Sequence, residues 1–438
     1  MTSPRFRRRP ALRDLRGWRF SPRLVTLVTS VAWRHASDDP VRALVLAWRV
    51  LPHPFRVSLR LAGPYGRAVT LWGAGDRGAA LQALDRVPRR LAAFALAVDW
   101  PQAARSALGR LGEDDPARAF LAARLAWREG RLADGLRTLD GVRGRRARAL
   151  RRSLAAELAV LDRGWPPHGL DRARPPRRLP RRGIDPVQGR VLHVVTDALP
   201  TTFAGYTVRT HQITLAQRAA GLDPHVVTRC GFPVTQGKLD SRRLVRLDGV
   251  PYHRLLPYTL PRQADAAAGR GLELAARLAE GLRPAVLHAA TNYANGQLAL
   301  ALRDAYGLPV VYEVRGFLEE TWLSRQDRDA GDAAAASDLY RLSRELETHC
   351  MLEADLVVTL GEVMLEEIVA RGVQAEKVLV VPNAVSGEFL EPLPDGAALR
   401  ACLGIEPGEL VVGLVSSLVA HEGIGTLLAA AADCRCGR

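Results

Sequence analysis

Short apolar runs and longer amphipathic stretches alternate along the second half of the chain. Val191–Val195 has the length and β-branched content of a buried strand, and helical spacing runs from Tyr206 to Gly221. Between them lies a loop with the small residues Ala204 and Gly205, where a ligand can approach the backbone and a helix start offers free N–H groups. The pattern therefore predicts a strand, a glycine turn and a helix, with a ligand edge at the turn.

The same alternation continues to residue 381. Strands separated by helices of roughly 10–20 residues predict an α/β fold with a doubly wound, Rossmann-like parallel sheet. The predicted strands after the first are His225–Thr228, Gly249–Leu255, Val286–Ala290, Val310–Val314, Asp355–Leu360 and Val378–Val381. The predicted helices lie at 265–282, at 296–306, in a long stretch that ends near Glu353, and at 362–371.

Ligands of such sheets bind beyond the carboxyl ends of the strands, so the strand assignments also predict which loops face the cleft. These loops are Asp197 to Tyr206, Thr291 to Gly296, Glu313 to Phe317, Thr359 to Glu362, and Pro382 to Val385.

The first half of the chain, residues 1–165, has Ala, Leu and Arg at helical spacing. The segments 71–87 and 125–142 each contain a glycine turn followed by a helix that ends Leu-Asp-x-Val, which resembles tetratricopeptide-type helical hairpins. GAGDRG at 73–78 also fits the dinucleotide-binding spacing GxGxxG, with Asp99 where a ribose-binding acid would lie. Because residues 101–165 offer only helix and no further strands, we interpret GAGDRG as a hairpin turn.

Charge divides the chain at the same point. The formal net charge is +16, but residues 1–190 carry +23 and the remainder −7. Residues 166–190 are rich in proline and arginine and predict a linker. The arginine-rich stretches 5–9 and 143–152 either contact anionic lipid or form an ordinary solvated face.

Five scattered cysteines predict no disulfide framework and are consistent with a cytoplasmic protein, peripheral to the inner face of a membrane if the arginines touch lipid. Neither a signal peptide nor a membrane span is predicted. Nucleic-acid binding is disfavoured because the basic segment lacks interleaved aromatic residues and any known module.

The motifs of the second half, taken in order, resemble those of a known enzyme family. Ala204-Gly205, VLHAATNYANG at 286–296, VVYEVRGFLEETW at 310–322, ADLVVTLGEVM at 354–364 and VLVVPNAV at 378–385 are similar to the N-terminal domain of a retaining GT-B glycosyltransferase of family 4, a bacterial type. The resemblance implies a GT-B fold, a nucleotide-sugar co-substrate, a glycan or lipid-linked acceptor, no cofactor and no metal. It divides the chain into a helical-repeat-like region at 1–165, a linker at 166–190, a glycosyltransferase-like N-terminal domain at 191–407, and the first strand and helix of a C-terminal donor domain at 408–438.

The resemblance also implies roles for individual residues. Glu313 and Arg315 would face the transferred sugar and act in catalysis, or alternatively form a salt bridge at a strand end. His288 and His211 are substrate-binding candidates or packing residues. The implied substrate-binding residues are Gly205, Tyr206, Arg209, His288, Asn292 and Asn383, and the implied donor-binding residues are Ser416, Ser417, Glu422 and Gly423.

The C-terminal end departs from the family pattern. Ser416-Ser417 and Glu422 occupy positions where the family usually has an arginine and a lysine, and the expected pair of glutamates at E-x7-E spacing is missing beyond residue 409. Glu345 and Glu353 have that spacing, but they precede the strand Asp355–Leu360 of the predicted N-terminal domain. We therefore interpret them as part of a ladder of charged side chains on a helix surface. We expect a truncated chain or a fragment that is inactive alone, and the alternative function is a non-catalytic helical scaffold with a vestigial transferase domain.

Overall fold

A computed structural model of the chain describes residues 22–50, 63–164, 183–326, 331–385, 387–392, 395–406, 408–415 and 422–435. The first half is helical wherever it is described. Its helices are α1 Pro22–Asp38, α2 Pro40–Val50, α3 Gly63–Gly73, α4 Arg77–Gln82, α5 Pro88–Ala97, α6 Pro101–Gly109, α7 Arg118–Arg128, α8 Leu132–Thr138 and α9 Arg145–Val160.

The second half alternates strands and helices. The strands are β1 Arg190–Val195, β2 Asp223–Thr228, β3 Leu244–Leu247, β4 Val250–Arg254, β5 Val286–Ala290, β6 Val310–Glu313, β7 Leu356–Thr359 and β8 Val378–Val380. The helices are α10 Gly205–Ala219, α11 Ala264–Leu282, α12 Tyr293–Tyr306, α13 Leu318–Leu323, α14 Gly331–Ala335, α15 Asp338–Glu353, α16 Glu362–Ala370, α17 Ala397–Cys402 and α18 Ile424–Arg435.

Among the described residues, eight strands form one sheet in the order β3-β4-β2-β1-β5-β6-β7-β8. All pairs are parallel except β3 with β4. The chain runs outward from β1 in one direction through β2 and β4, and in the other direction through β5 to β8. This reversal between β1 and β5 opens a crevice at the carboxyl ends of the two strands, which confirms the predicted α/β, doubly wound, Rossmann-like sheet.

Apolar side chains cover both faces of the sheet. The strands themselves consist largely of buried valine, leucine and alanine. Leu192 and Leu287 of the two central strands have no exposed surface, and Ala275 of α11 and Leu302 of α12 close over them. Strands covered on both sides need a largely apolar sequence, and Val191–Val195 is apolar except for the buried His193.

The GAGDRG turn connects two helices, as interpreted from the sequence. α3 ends at Gly73 and α4 begins at Arg77, where the Asp76 carboxylate accepts a hydrogen bond from Ala79 N at 2.9 Å. Because the preceding apolar residues Val69–Trp72 lie in helix α3, the segment does not have the strand that a dinucleotide fold requires.

The strand expected at the start of residues 409–432 does not form. Residues 409–415 have irregular backbone, and Leu410 and Val415 are fully or almost fully exposed. A strand is stabilised by pairing, and these residues pair with no described strand. The helix expected after them is present as α18.

The helical half packs directly against the sheet half. Leu132 and Leu154 of the helical half share a fully buried cluster with Leu346 of α15. Gln297 Nε2 of α12 donates to Val160 O at 2.9 Å, and Ala133 N donates to the Asp338 carboxylate at 2.8 Å. The predicted linker at 166–190 lies largely outside the described residues. Within the described parts of the chain, no helix is long and apolar enough to cross a bilayer.

Candidate functional site

The start of α10 lies at the carboxyl end of β1, beside the crevice between β1 and β5. Ala204 has extended backbone, and its N–H donates to Thr207 Oγ1 at 3.0 Å, so a side chain of the first turn fixes the entry into the helix. A Cβ added to Gly205 would meet no heavy atom within 4 Å. The space in front of this helix start is therefore open to a ligand.

Tyr206 follows Gly205 in the first turn of α10, beside the same crevice. Tyr206 is 44% exposed, and its hydroxyl donates to Asp197 Oδ2 at 3.1 Å. The other oxygen of Asp197 lies 3.2 Å from Arg229 Nη2, so the loops after β1 and β2 are joined through one carboxylate. Tyr206 thus presents an aromatic face to solvent while its hydroxyl is held in place.

Glu313, the last residue of β6, is the centre of a buried cluster of charges. Its side chain has no exposed surface. Oε1 accepts from Arg209 Nε at 2.7 Å, and Oε2 accepts from Arg315 Nη2 at 2.5 Å and His288 Nε2 at 3.2 Å. The resemblance implies that Glu313 and Arg315 act in catalysis or, alternatively, form a salt bridge at a strand end. In the structure the two side chains form that salt bridge.

Arg315 connects this carboxylate to the first turn of α10. Its Nη1 donates to Tyr206 O and to Thr210 Oγ1, both at 2.8 Å. Its backbone N–H donates to Thr291 Oγ1 at 2.7 Å, and the Thr291 hydroxyl donates in turn to Glu313 O at 3.0 Å. Thr291, which the sequence analysis placed only in a cleft-facing loop, therefore helps to fix the end of β6.

Arg209 connects the same carboxylate to the chain that leaves β8. Its Nη2 donates to Val381 O at 2.8 Å, and its Nη1 donates to Pro382 O at 3.2 Å and to Asn383 Oδ1 at 3.0 Å. Arg209 and Asn383, both predicted to bind substrate, thus contact each other. The guanidinium of Arg209 is occupied by protein oxygens in this structure.

The Glu313 carboxylate is kept in its charged form by its partners in the cluster. Burial raises the pKa of Glu313, but the hydrogen bond from His288 and the positive charge of Arg315 outweigh it, so the pKa is well below its usual range. The His288 ring packs against the His193 ring with centroids 4.5 Å apart. Burial, followed by the neighbouring His288, lowers the pKa of His193 to about 3, so His193 is neutral at physiological pH.

Two further predicted residues occupy distinct places. Asn292 directly precedes α12, in the loop after β5. Its neighbour Asn295 donates to Thr196 Oγ1 at 3.0 Å and to Ala290 O at 2.8 Å, so it bridges the ends of β1 and β5. His211 lies outside the cluster, where its two ring nitrogens contact Tyr252 and Asp248.

The predicted donor-binding residues do not join the cluster. Ser416 and Ser417 lie outside the described residues. Glu422 and Gly423 are exposed just before α18, and Gly423 O accepts a hydrogen bond from Leu427 N of that helix at 3.0 Å.

Glu345 and Glu353 lie on the surface of α15. Glu345 pairs with Arg163 and Arg341, and Glu353 pairs with Arg303. These contacts agree with a ladder of ion pairs on a helix. The part of the chain that the structure describes contains no group of three or more histidine, cysteine, aspartate or glutamate side chains that could hold a metal ion.

Comparison with known proteins covers the segment that builds this site. Residues 204–384 match the family model described as "Glycosyl transferase 4-like domain". A sucrose-phosphate synthase structure from Thermosynechococcus elongatus is 15% identical, with 49% of this chain and 96% of that chain covered and a TM-score of 0.30. A mutant O-GlcNAc transferase from Thermobaculum terrenum is 13% identical, with 82% and 76% covered and a TM-score of 0.27. No curated protein gives a significant match.

Proposed function

We propose that the chain is a retaining GT-B glycosyltransferase, from the premise that residues 204–384 match the model of the glycosyl transferase 4-like domain family. It would transfer a sugar from a nucleotide-sugar donor to a glycan or lipid-linked acceptor. The nucleotide sugar would be a co-substrate, and we propose that the reaction uses neither a cofactor nor a metal ion. The proposed location is the cytoplasm, with the acceptor at the inner face of the membrane.

One observation carries this proposal. The start of α10, the end of β6 and the chain that leaves β8 meet through Arg209, Glu313 and Arg315, within the matched segment and at the carboxyl edge of the sheet. This is the edge at which doubly wound sheets bind their ligands. The free N–H groups at the open start of α10 suit a diphosphate, because a helix N-terminus carries partial positive charge.

The proposed roles follow from these contacts. The backbone N–H groups of Gly205 and Tyr206 would bind an oxygen of the departing nucleoside diphosphate. As the bond between the anomeric carbon and the phosphate oxygen breaks, the acceptor oxygen bonds to the same face of the sugar, and the acceptor's proton passes to the leaving phosphate. Arg315 would hold the first turn of α10 in place through Tyr206 O.

Glu313 has a different role from the one the resemblance implies. Its carboxylate is buried and accepts hydrogen bonds from three side chains. We therefore assign Glu313 as a positioning residue, which acts on the substrate through Arg315 and Arg209 and does not touch the sugar.

The test is release of nucleoside diphosphate by the full chain, and such release would also overturn the expectation that the chain is inactive alone. Individual nucleotide sugars with uridine, guanosine and adenosine bases would be incubated with simple glycan and polyprenyl-phosphate acceptors. Release that requires both a particular donor and an acceptor, with retained anomeric configuration in the product, would support the proposal. Binding of no donor in this panel would contradict it.

A second candidate function is a non-catalytic scaffold with a vestigial transferase domain. The observation in its favour is that Arg209 and Arg315 are already engaged by protein oxygens, which leaves these guanidinium groups less available for a phosphate. Donor binding without any acceptor-dependent release would favour this candidate.

A further inference from the structure

The first half of helix α9 presents arginine side chains to solvent. Residues 143–152 contain six arginines and no acidic residue. Ala147, Leu150 and Leu154 form the buried face of the helix, and Arg145, Arg148 and Arg152 lie on the opposite face and are exposed. We call these three residues the arginine stripe. At the rise of an α-helix it is about 10 Å long, and the exposed side chains of Arg143 and Arg146 flank it.

The arginine stripe differs from several other arginines of the helical half, which form ion pairs. Arg89, Arg105 and Arg110 are also exposed, yet each forms an ion pair, with Asp115, Glu129 and Asp85 respectively. Among the described residues, no carboxylate lies within ion-pair distance of any member of the stripe. Arg67, Arg86 and Arg90 are likewise exposed and form no ion pair with a described residue. The stripe is therefore distinguished by the alignment of three unpaired arginines along one helix face, and not by the lack of carboxylates alone.

The position of the stripe is also unfavourable for the isolated protein. The N-terminal half of a helix carries partial positive charge, which repels cations, and the first turn of α9 has no acidic residue to offset it. Like charges four residues apart on a helix, such as Arg148 and Arg152, repel each other as well. The helix dipole and the repulsion between like charges both disfavour this surface, and no described carboxylate offsets them. Such a surface is suited to a partner of negative charge.

We propose that the arginine stripe binds the phosphate groups of an anionic lipid bilayer and so holds the protein at a membrane surface. Three guanidinium groups in line on one helix match a flat layer of phosphates, each of which a guanidinium can bind through two hydrogen bonds. The choice of a lipid partner rests in part on the proposed function, in which the acceptor is lipid-linked.

A nucleic acid fits this surface less well. Among the described residues from 88 to 164, no tryptophan, tyrosine or phenylalanine is exposed, so there is no platform on which bases could stack. The same lack of exposed aromatic residues within 88–164 predicts that this surface binds the headgroups without inserting, and that its binding is electrostatic and weakens with salt.

The expected effect is large enough to measure. An arginine near an anionic bilayer surface strengthens binding by about fivefold, so removal of the three charges is expected to weaken it by about 100-fold. The full chain would be sedimented with phosphatidylcholine vesicles that contain or lack phosphatidylglycerol. The test variant combines Arg145→Gln, Arg148→Gln and Arg152→Gln.

A matched variant with the same change in net charge combines Arg89→Gln, Arg105→Gln and Arg110→Gln. The proposal predicts salt-sensitive binding of the wild type to anionic vesicles only, loss of that binding in the test variant, and nearly unchanged binding in the matched variant. Thermal melting would verify that both variants fold, and no sugar transfer is measured, so the result is independent of the proposed function.

Three outcomes would overturn the proposal. The first is no binding of the wild type to anionic vesicles. The second is an equal loss of vesicle binding in the two variants, which would show that binding depends on net charge and not on the arginine stripe. The third is a stripe-dependent affinity for single-stranded RNA without a stripe-dependent affinity for vesicles.

Discussion

Arg209 Nε and Glu313 Oε1 lie 2.7 Å apart, although 104 residues separate them in the chain. The contact joins the first turns of α10 to the end of β6, and the other nitrogens of Arg209 extend it to residues 381–383. Three loops at the proposed ligand edge thus share one buried carboxylate. Their relative positions depend on that carboxylate being charged.

Replacement of Glu313 is expected to destabilise the fold. Glu313→Gln keeps the shape but leaves Arg209 and Arg315 beside a neutral group, and loss of one partner of a buried ion pair costs about 3–5 kcal/mol. Urea unfolding of the full chain measures the change. Glu273→Gln, which removes the surface pair between Glu273 and Arg270, serves as the control and should cost less than about 1 kcal/mol. Equal effects of the two substitutions would refute the central role of Glu313.

Replacement of Arg209 by lysine should release the chain that follows β8. A lysine ammonium cannot reproduce the planar donor set that contacts Glu313, Val381 O and Asn383, so amide hydrogen exchange in residues 381–385 should accelerate by about tenfold or more. Hydrogen-exchange mass spectrometry measures this. The matched control is Arg218→Lys on the same helix, because Arg218 contacts Asp248 O and none of these residues. Unchanged exchange at 381–385 would show that Arg209 does not restrain this segment.

The contribution of Glu347 to the stability of the protein should fall as the pH rises towards about 8. This buried residue of α15 accepts hydrogen bonds from Tyr293 N and the Tyr312 hydroxyl, and burial raises its pKa to about 8. In the unfolded chain the group loses its proton near pH 4.3, so between these values only the native state retains the proton. Its contribution is therefore fully present below the unfolded pKa and declines by up to about 1.4 kcal/mol per pH unit up to the folded pKa.

Glu347→Gln removes this titration, so the difference in unfolding free energy between wild type and variant should shrink or reverse as the pH rises from about 5 to 8. The difference is the proper measure because buried His193, with its lowered pKa, acts in the opposite direction in the wild type and the variant alike. Glu345→Gln, an exposed change on the same helix, should leave the pH profile unaltered. A constant difference across this range would mean that Glu347 is ionised in the native state.

Substitution of Gly205 should separate ligand binding from stability. Gly205→Ala meets no neighbour within 4 Å, and a helix tolerates alanine, so the melting temperature should stay nearly constant. If a diphosphate approaches this backbone, the added methyl group displaces it, and transfer should slow by about 100-fold. Gly269→Ala, also in a helix and free of neighbours, should change neither property.

Gly296→Ala is the opposite case. Its Cβ would lie 2.7 Å from Cys350 Sγ and 3.0 Å from Tyr312 Cε2, so it should cost about 1–3 kcal/mol through overpacking. If Gly205→Ala lowered stability as much as Gly296→Ala does, the space before α10 would not be open. If Gly205→Ala retained full transfer activity, the ligand would not approach there.

Much of the sheet could be predicted because its strands are buried on both sides and read as apolar runs. Val286–Ala290 was predicted to the residue, and β1, β6 and β7 to within one or two residues. The antiparallel strand β3 was missed because only some of its residues are sheltered and Arg246 interrupts the apolar pattern. The long helix before Glu353 was expected in one piece, but among the described residues it is preceded by the separate helices α13 and α14, and Ser337 caps its start.

The site was less accessible to prediction. Glu313 and Arg315 are two residues apart on one strand, so their proximity could be inferred from alternation alone. The reach of Arg209 to residues 381–383 depends on how α10 is placed relative to the end of β8, which the local pattern does not encode. Thr291 and Asn295 carry a weaker signal, since polar side chains directly after a buried strand are frequent in any α/β protein.

The buried contact between Leu346 and the leucines Leu132 and Leu154 makes the helical half part of the solvent-excluded interior of the sheet half. If residues 183–438 were separated from it, Leu346 would face water and Gln297 would lose its acceptor on Val160. The helical half is therefore not an independent domain that could be removed or replaced, and the two halves should unfold together in a single cooperative transition.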